Sequence, residues 1–415
     1  MTTSAYDKIA AQHLRIGMYV VELDRPWLDT PFLVQGFVIR TLEQLETLKK
    51  LCDHVYIDSG RSLRFAPGAG QPAPGAGANP LSRERLQRMF RTRVEPYRDS
   101  APFNDEVATA RNIYDDYEQM VVRLYDDVRS RQKINIREVN HTIADIVDSV
   151  TRNPDACMLL AKLRRKGDYT YNHAIGSSIW AAALGRQLGL PKRTIQSIAT
   201  GALLSDVGKV ALSDRLLNKA GALTEEELAI ARSHVDKGLA LLAETRGVDA
   251  IARQMLETHH ERHSGKGYPR GLRGAQIPVY GRIAAIVDTY DALINDKPYR
   301  KGMAASEAVK LLYQVRGEDF QAELVEEFIQ AVGIYPAGSL VELSNGEVGV
   351  VVTEHRRRRL RPKLLMLLDA DKARLDERRF VDLFEVTHDS AGAPLDIRRG
   401  LTPDEYGIDP DDIFV

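Results

Sequence analysis

The sequence is poor in cysteine, in long apolar runs and in net charge. Its two cysteines, Cys52 and Cys157, among 415 residues supply neither a disulfide framework nor a cysteine-based metal site. A formal net charge of −1 points to no partner by bulk electrostatics. Because scarce, unpaired cysteine is typical of a reducing compartment, we expect a cytoplasmic protein.

Membrane and export signals are missing as well. The longest apolar candidate, AIGSSIWAAALG at residues 174–185, falls short of the ~20 residues that span a bilayer. The N-terminal residues lack the charged-then-apolar layout of a signal peptide. The sequence therefore predicts no membrane span, and 44% hydrophobic with 28% charged residues leaves ample material for a core.

Composition and hydrophobic pattern divide the chain into five segments. Residues 1–65 predict a small α/β domain, because the strand-like MYVVEL and HVYIDS flank leucines spaced helically at 42, 45, 48 and 51. Residues 66–80 are a Pro/Gly/Ala-rich linker. Residues 81–166 predict a helical connecting region, and 167–330 an all-helical domain. Residues 331–415 predict a β-rich extension, with a hairpin at Asn345-Gly346 and a third strand at PKLLMLLD. The expected fold class is mainly α.

Two sequence patterns predict individual helices in the middle of the chain. One apolar stripe predicts a helix that ends at Asn153-Pro154; its residues are Ile136, Val139, Ile143, Ile146, Val147 and Val150. Thr224 with Glu227 forms a capping-box pattern. The amphipathic stretch 104–130 fits two arrangements, packing on the helical domain or pairing between chains as a homodimer.

Histidines and aspartates recur within or at the ends of the predicted helices: His173, His234, His259, His260, Asp206 and Asp288. Any one such histidine is more typical of a half-buried structural residue than of a ligand. Asp206 differs, because its apolar surroundings, ALLSDVGKVAL, make an uncompensated carboxylate too costly. Lys209, as a helix pair, or a metal ion would supply the cation. Mixed imidazole and carboxylate ligands suit Fe, Mn or Zn.

A glycine-rich loop follows His259-His260. In ERHSGKGYPRGL, the glycines at 265, 267 and 271 permit tight turns and close approach of the backbone to a ligand. Tyr268-Pro269 offers an aromatic platform beside them. Taken alone, the same pattern fits a surface turn.

Several motifs together resemble the HD-GYP subgroup of the HD phosphohydrolases. They are, in order, YTYNHAIGSS, LLSDVGKV, HHERHSGKGYPRGL, IVDTYDAL and NDKPYRKGM, over about residues 167–330. The resemblance implies a helical, metal-dependent phosphodiesterase that hydrolyses cyclic di-GMP. Residues 10–60 resemble the domain of unknown function that often precedes this subgroup, and the tail from GIYPAGSLVELSNGEVG resembles its C-terminal extension.

The resemblance also implies roles for individual residues. One or two divalent ions, Fe, Mn, Zn or Mg, would be bridged by Asp206, with His173 and Asp288 on one side and His234, His259 and His260 on the other. Substrate-binding positions are Lys209, Gly267, Tyr268, Lys297 and Arg300, and Asp206 and Lys209 are the catalytic pair. Metal-activated water would open the ring to pGpG and then GMP. Tyr169 stands where some members carry a glutamate for a third metal, so we expect at most two ions.

Two positions depart from the family pattern. Ser205 replaces the histidine of the His-Asp pair, which removes a ligand of the first metal, and Ser264 replaces an aspartate beside His263. Two hypotheses follow. The chain is a phosphodiesterase weakened by Ser205, or it is a catalytically silent module that binds cyclic di-GMP or docks a diguanylate cyclase (GGDEF) protein.

Two further features are assigned structural roles. The run HRRRRLRPK at 355–363 could contact nucleic-acid phosphates, but such runs are more often solvated loops or charged guards of a strand edge. Nucleic acid is therefore not expected as a partner. Trp27, Pro31 and Phe32 are expected to pack the N-terminal domain.

Overall fold

The computed structural model describes residues 7–25, 37–39, 42–57, 83–163, 169–297, 300–355, 359–402 and 404–408. The chain divides into two compact units, residues 1–80 with 355–361 and residues 81–354 with 362–415. The predicted linker 66–80 and the residues Trp27, Pro31 and Phe32 lie outside the described residues. The mainly helical fold, with small sheets towards both ends, is confirmed.

The first unit is a small α/β fold. Its elements are β1 (Asp7–Ala10), β2 (Tyr19–Leu23), β3 (Phe37–Val38), α1 (Leu42–Leu51) and β4 (His54–Ile57). The strands form an antiparallel sheet of order β1-β4-β2-β3. Leu45 and Leu48 of α1 are buried with Val20 and Val55 of the sheet, whereas Leu42, the first of the predicted leucine series, is exposed.

The second unit is mainly helical and carries the predicted site. Its helices are α2 (Arg83–Phe90), α3 (Phe103–Arg129), α4 (Ile136–Arg152), α5 (Pro154–Leu163), α6 (Tyr169–Gln187), α7 (Lys192–Leu204), α8 (Asp214–Leu217), α9 (Glu225–Arg232), α10 (His234–Glu244), α11 (Ala250–Thr258), α12 (Val279–Ile294), α13 (Ala305–Gln314) and α14 (Ala322–Val332). In the described part of the chain, none of these helices is both long and apolar enough to cross a membrane.

Local sequence signals set several helix ends. The whole predicted stripe of α4 is buried, and α5 begins at Pro154, where a helix needs no backbone N–H. Thr224 forms the predicted capping box with Glu227. Helix α3 buries residues such as Tyr117 and Val121 and contacts α4, α5 and α6. Of the two arrangements open to residues 104–130, the structure therefore shows packing within the chain.

Helix α6 lies at the centre of the helical unit. It is buried continuously from His173 to Arg186, which explains why its apolar residues surround the helix instead of forming one stripe. Gly176 faces α12, since a Cβ there would lie 2.1 Å from Asp291 Oδ1. Glycine at this position therefore allows two site-bearing helices to approach each other.

A five-stranded antiparallel sheet follows the helices. Its strands are β5 (Leu340–Leu343), β6 (Val348–Thr353), β7 (Lys363–Leu368), β8 (Phe380–Asp382) and β9 (Ile397–Gly400), in the order β8-β7-β6-β5-β9. The predicted β5–β6 hairpin is confirmed, with Gly346 at a φ of 88°.

The arginine run beside the sheet differs from its expected solvated state. Residues 356–358 lie outside the described part. Arg359 and Arg361 are only 8% and 6% exposed. The expectation of a solvated run is therefore wrong for these two residues.

Candidate metal centre

The six predicted metal ligands meet in one buried region. They lie on or directly after helices: His173 on α6, Asp206 after α7, His234 at the start of α10, His259 and His260 after α11, and Asp288 on α12. The ligand atoms form two groups, and within each group they lie within 4.8 Å of one another. The first group is His173, Asp206 and Asp288, and the second group is Asp206, His234, His259 and His260. Asp206 belongs to both groups, as a bridging ligand would.

The second group brings imidazole nitrogens and one carboxylate oxygen close together. His234 Nδ1 and His259 Nδ1 donate to the backbone carbonyls of Ala231 and Leu256, at 2.8 Å and 2.7 Å. A carbonyl only accepts, so each Nδ1 carries a proton and each Nε2 is turned towards the other ligands. The Nε2 atoms lie 3.3 Å and 3.6 Å from Asp206 Oδ1 and 3.3 Å from each other.

Nothing among the described residues donates a hydrogen bond to Asp206 Oδ1, although this atom is buried. Burial lowers the pKa of His234 to about 4, and burial with the neighbouring His259 holds the pKa of His260 well below its usual value. Both imidazoles are therefore neutral at pH 7. A buried carboxylate facing neutral nitrogen lone pairs fits a divalent cation.

The first group is organised around His173. Its Nε2 lies 3.1 Å from Asp288 Oδ1 and 3.4 Å from Asp206 Oδ2. Burial lowers the pKa of His173, but Tyr169 and the surrounding aspartates outweigh burial and hold the pKa well above its usual value. A metal ion at this nitrogen would displace a proton.

Asp291, which the sequence reasoning did not select, orients His173. The Asp291 side chain is fully buried and accepts from His173 Nδ1 at 2.8 Å, from Trp180 Nε1 at 2.8 Å and from the Asn295 amide. A carboxylate on the far nitrogen fixes the ring and makes it a better ligand. The only signal in the sequence is the spacing of three from Asp288, which puts both aspartates on one side of α12.

Lys209 occupies the position that the helix-pair interpretation predicted. Its Nζ lies 2.5 Å from Asp206 Oδ2. Burial lowers the pKa of Lys209, but the charge of Asp206 outweighs burial and raises it, so the amine stays charged. The ion pair engages one oxygen of Asp206 and leaves Oδ1 facing the histidines, so the pair and a cation at Oδ1 are compatible.

The glycine-rich loop packs directly against the histidines. The Tyr268 ring lies 4.6 Å from the His260 ring, centroid to centroid, and the Arg232 guanidinium lies 4.9 Å from the Tyr268 centroid. Gly267 is required there, because a Cβ would lie 2.4 Å from the Arg262 backbone nitrogen. The loop is thus part of the site and not a remote surface turn.

A second residue that the sequence reasoning missed, Glu261, holds this loop in place. It is 1% exposed and accepts from the backbone nitrogens of Arg270 and Leu272, each at 2.8 Å. Each carboxylate oxygen therefore satisfies one N–H across the loop. No motif signals this role, because Glu261 simply follows the histidine pair.

The remaining predicted substrate residues lie near the first group. Lys297 Nζ lies 5.5 Å from the Tyr169 ring centroid, and Tyr169 stacks on His173 with 5.4 Å between centroids. Arg300 Nη2 donates to the Ala292 carbonyl at 2.7 Å, which ties it to the last turns of α12. Tyr169 covers the outer face of His173.

Comparison with known proteins assigns the family. A model described as an HD domain matches residues 155–324, a domain of unknown function (DUF3391) matches 6–139, and a KOW domain associated with the HD domain matches 340–388. A cyclic di-GMP phosphodiesterase of Pseudomonas aeruginosa is 33% identical over 365 residues, 88% of this chain and 85% of the relative. The chain belongs to the HD-GYP family.

Two further relatives resemble a smaller part of this HD-GYP protein. A cyclic di-GMP phosphodiesterase of Thermotoga maritima is 32% identical over 39% of the chain. A 3'3'-cGAMP-specific phosphodiesterase of Vibrio cholerae is 34% identical over 38% of the chain. The chain covers 44% and 30% of these two relatives, so less than half of each is represented.

The two serines that depart from the HD-GYP pattern, Ser205 and Ser264, donate hydrogen bonds within the protein. Ser205 Oγ donates to the Gly201 carbonyl at 2.7 Å, and Ser264 Oγ donates to Asp319 Oδ1 at 3.0 Å. Across the described residues, neither ligand group includes His263, whose pKa is lowered by burial and by Arg282. His263 therefore does not replace the missing histidine.

Proposed function

We propose that this HD-GYP protein is a metal-dependent phosphodiesterase that opens cyclic di-GMP to pGpG and then to GMP, with activity reduced by Ser205. The observation that carries the proposal is the buried Asp206 Oδ1, which has no hydrogen-bond donor among the described residues and faces Nε2 of His234 and of His259. A cation held among these atoms would offset the cost of burying the carboxylate oxygen. The activities for which the relatives from Pseudomonas and Thermotoga are named support cyclic di-GMP as the substrate.

The two ligand groups suit one or two ions, with Fe or Mn as our first choice and Zn or Mg as alternatives. The second group offers four ligands and the first group three, since Asp206 is shared. When bound, such ions neutralise charge developing on a phosphoryl group and lower the pKa of the attacking water. A site that lacks one ligand binds its metal more weakly, which is why we propose reduced turnover.

The chain's own residues position the substrate. Lys209 is charged and next to Asp206, so we assign it a phosphate contact. Tyr268 offers a ring beside His260 for stacking, and Gly267 permits the close approach of the loop. Lys297 near Tyr169 supplies a second positive charge. Within the described part of the chain, one guanidinium N–H of Arg300 donates to the Ala292 carbonyl, so a phosphate contact through its other donors is compatible with its position.

A silent binding module is the second candidate, and Ser205 favours it. Its hydroxyl donates to Gly201, so the side chain is engaged with its own helix instead of replacing the imidazole ligand. In that case the basic residues and the loop would hold cyclic di-GMP or dock a diguanylate cyclase without turnover. For this silent module we also propose a second copy of the chain as a partner, in a homodimer.

Turnover with supplied metal separates the two candidates. The protein is purified without chelator, its metal content is measured, and hydrolysis of cyclic di-GMP and of 3'3'-cGAMP is followed with Mn²⁺ or Fe²⁺ present. We expect Ser205→His to raise cyclic di-GMP hydrolysis by at least about tenfold, the lower end of the effects seen for metal-site ligand shells. Asp206→Asn should abolish hydrolysis in both backgrounds.

Each outcome decides between the candidates. Cleavage of cyclic di-GMP that Asp206→Asn removes supports the enzyme. If neither wild type nor a folded Ser205→His variant cleaves it, while Mn²⁺ and the dinucleotide still bind, the silent module is correct. If the wild-type protein binds no Mn²⁺, the metal centre itself is refuted. Faster cleavage of 3'3'-cGAMP would overturn the substrate assignment alone.

A further inference from the structure

A small cavity lies beside the first ligand group, between α6, α7 and α12. About 10 Å³ of it is open to the centre of a water molecule, which is room for one water. Its lining includes the ligands His173, Asp206 and Asp288 and the side chains of Ser177 and Ser205. The cavity therefore reaches the first group from the side where the missing histidine would stand.

Ser177 gives this cavity a polar wall. It follows His173 by one helical turn on α6, and its side chain is buried. Its Oγ finds no hydrogen-bond partner within the described part of the protein. A buried hydroxyl without a hydrogen bond costs free energy, so a partner in the cavity would stabilise this atom.

Ser205 provides the opposite polar contact. Its Oγ donates its proton to the Gly201 carbonyl at 2.7 Å, which leaves the oxygen lone pairs able to accept. The rest of the lining is small, with Ala174, Ala202 and Ala284 among it. A hydroxyl that donates, another that accepts, and two carboxylates meet the two-to-four polar partners that a buried water requires.

We infer that this cavity is a water site that takes the place of the absent imidazole. Ser177 Oγ donates to the water oxygen, and the water donates one proton to Ser205 Oγ and the other to a carboxylate of the first group. Its remaining lone pair is directed at the ion that His173, Asp206 and Asp288 would hold. The inference rests on the proposed metal centre and specifies how that centre completes its first site without a histidine.

Mn²⁺ binding to the full-length protein tests the inference without any substrate. The electron paramagnetic resonance signal of free Mn²⁺ gives the number and affinity of bound ions. Wild type should show a tighter and a weaker class, with His173→Ala removing the weaker one. Ser177→Val fills the cavity and removes the hydroxyl, so it should weaken the weaker class about tenfold or more and leave the tighter class unchanged.

A matched control and a milder variant keep the test decisive. Ser178 is the next buried residue of α6 and stands outside the cavity lining, so Ser178→Ala should change neither class. Ser177→Ala removes only the hydroxyl and should weaken the weaker class more than the control does. Ser177→Ala is used in place of Ser177→Val if the valine variant does not fold, as judged by thermal unfolding.

Counting exchangeable waters on bound Mn²⁺ gives a second readout. In ¹⁷O-labelled water, the oxygen hyperfine signal of the weaker class should lose one water in Ser177→Val and one in Ser205→His. Unchanged affinity and water count in both Ser177 variants, with two ions still bound, would overturn the water site and leave the metal centre standing. Absence of Mn²⁺ binding in wild type would instead refute the proposed function on which the inference rests.

Discussion

The Asp291 carboxylate connects the packing of α6 and α12 with the proposed metal centre. It accepts from His173 Nδ1, Trp180 Nε1 and the Asn295 amide. In Asp291→Asn, one carboxylate oxygen becomes an NH₂ donor, and whichever way the amide turns, at least one buried donor loses its acceptor. We therefore expect a loss of about 1–3 kcal/mol in the free energy of unfolding. Mn²⁺ affinity of the first group should fall about 10–100-fold, as for other residues that orient a ligand.

Urea unfolding of chelator-treated protein measures the first effect, and the Mn²⁺ titration measures the second. Asp145→Asn is the matched control, since Asp145 is exposed on α4 and the chemical change is identical. The control should stay within about 0.5 kcal/mol of wild type. If Asp291→Asn is equally neutral and keeps both Mn²⁺ classes, Asp291 does not orient His173.

Gly176→Ala approaches the same carboxylate from the facing helix. Its Cβ would lie 2.1 Å from Asp291 Oδ1 and 2.8 Å from Asp291 Cγ, so the carboxylate must shift, which disturbs its hydrogen bonds to Trp180 and His173. We expect a loss of first-group affinity similar to that of Asp291→Asn. Because both changes disturb one contact, the double variant should lose less than the sum of the two single losses; a fully additive loss would contradict the coupling.

Three other perturbations probe the second group and the loop. Gly208→Ala places a Cβ 2.0 Å from the His234 carbonyl oxygen, so α10 must shift and the tighter Mn²⁺ class should weaken at least about tenfold in the same titration. Burial lowers the pKa of His234 to about 4, so the unfolded chain binds this proton more strongly than the folded protein does. The contribution of His234 to the free energy of unfolding is fully present above about pH 6.5 and falls by about 3 kcal/mol as the pH drops to 4. Urea unfolding of metal-free wild type and His234→Gln measures this loss. Glu261→Gln deprives Arg270 N or Leu272 N of its acceptor and should speed amide exchange there at least about tenfold.

Controls for these three use equivalent changes at open positions. A Cβ at Gly221 meets nothing within 4 Å, so Gly221→Ala should leave both Mn²⁺ classes intact; equal effects at Gly208 and Gly221 would refute the contact. Parallel stability curves for wild type and His234→Gln between pH 7 and 4 would show that His234 is not the titrating group. Glu226→Gln, at an exposed position of α9, should not alter exchange in the loop.

Local signals in the sequence predicted the elements that depend on nearby residues. The stripe of α4, the capping box at Thr224 and the hairpin at Gly346 all appear in the structure. Each depends on residues a few positions apart, so spacing alone specifies it. The motif series likewise led to the HD-GYP family, which the comparisons confirm.

The spacing of residues along the predicted helices could not show which side chains from distant parts of the chain contact each other. Asp291 and His173 are 118 positions apart, and Glu261 holds backbone nitrogens that no motif singles out. The arginines at 359 and 361 look exposed in the sequence but are buried. These relationships depend on which helix faces pack together, and periodicity gives the face of a helix without naming its neighbour.

The amino-acid sequence by itself therefore determined the helices, the family and the residue types able to bind metal, because short-range spacing and motif order specify them. Only the tertiary structure decided that Asp206 Oδ1 faces the imidazoles of His234 and His259, that Asp291 accepts a hydrogen bond from His173 and that Ser205 borders a cavity the size of one water. The physical reason is that hydrogen bonds and cavities arise between helices distant in sequence, where close packing fixes each partner within a few tenths of an ångström.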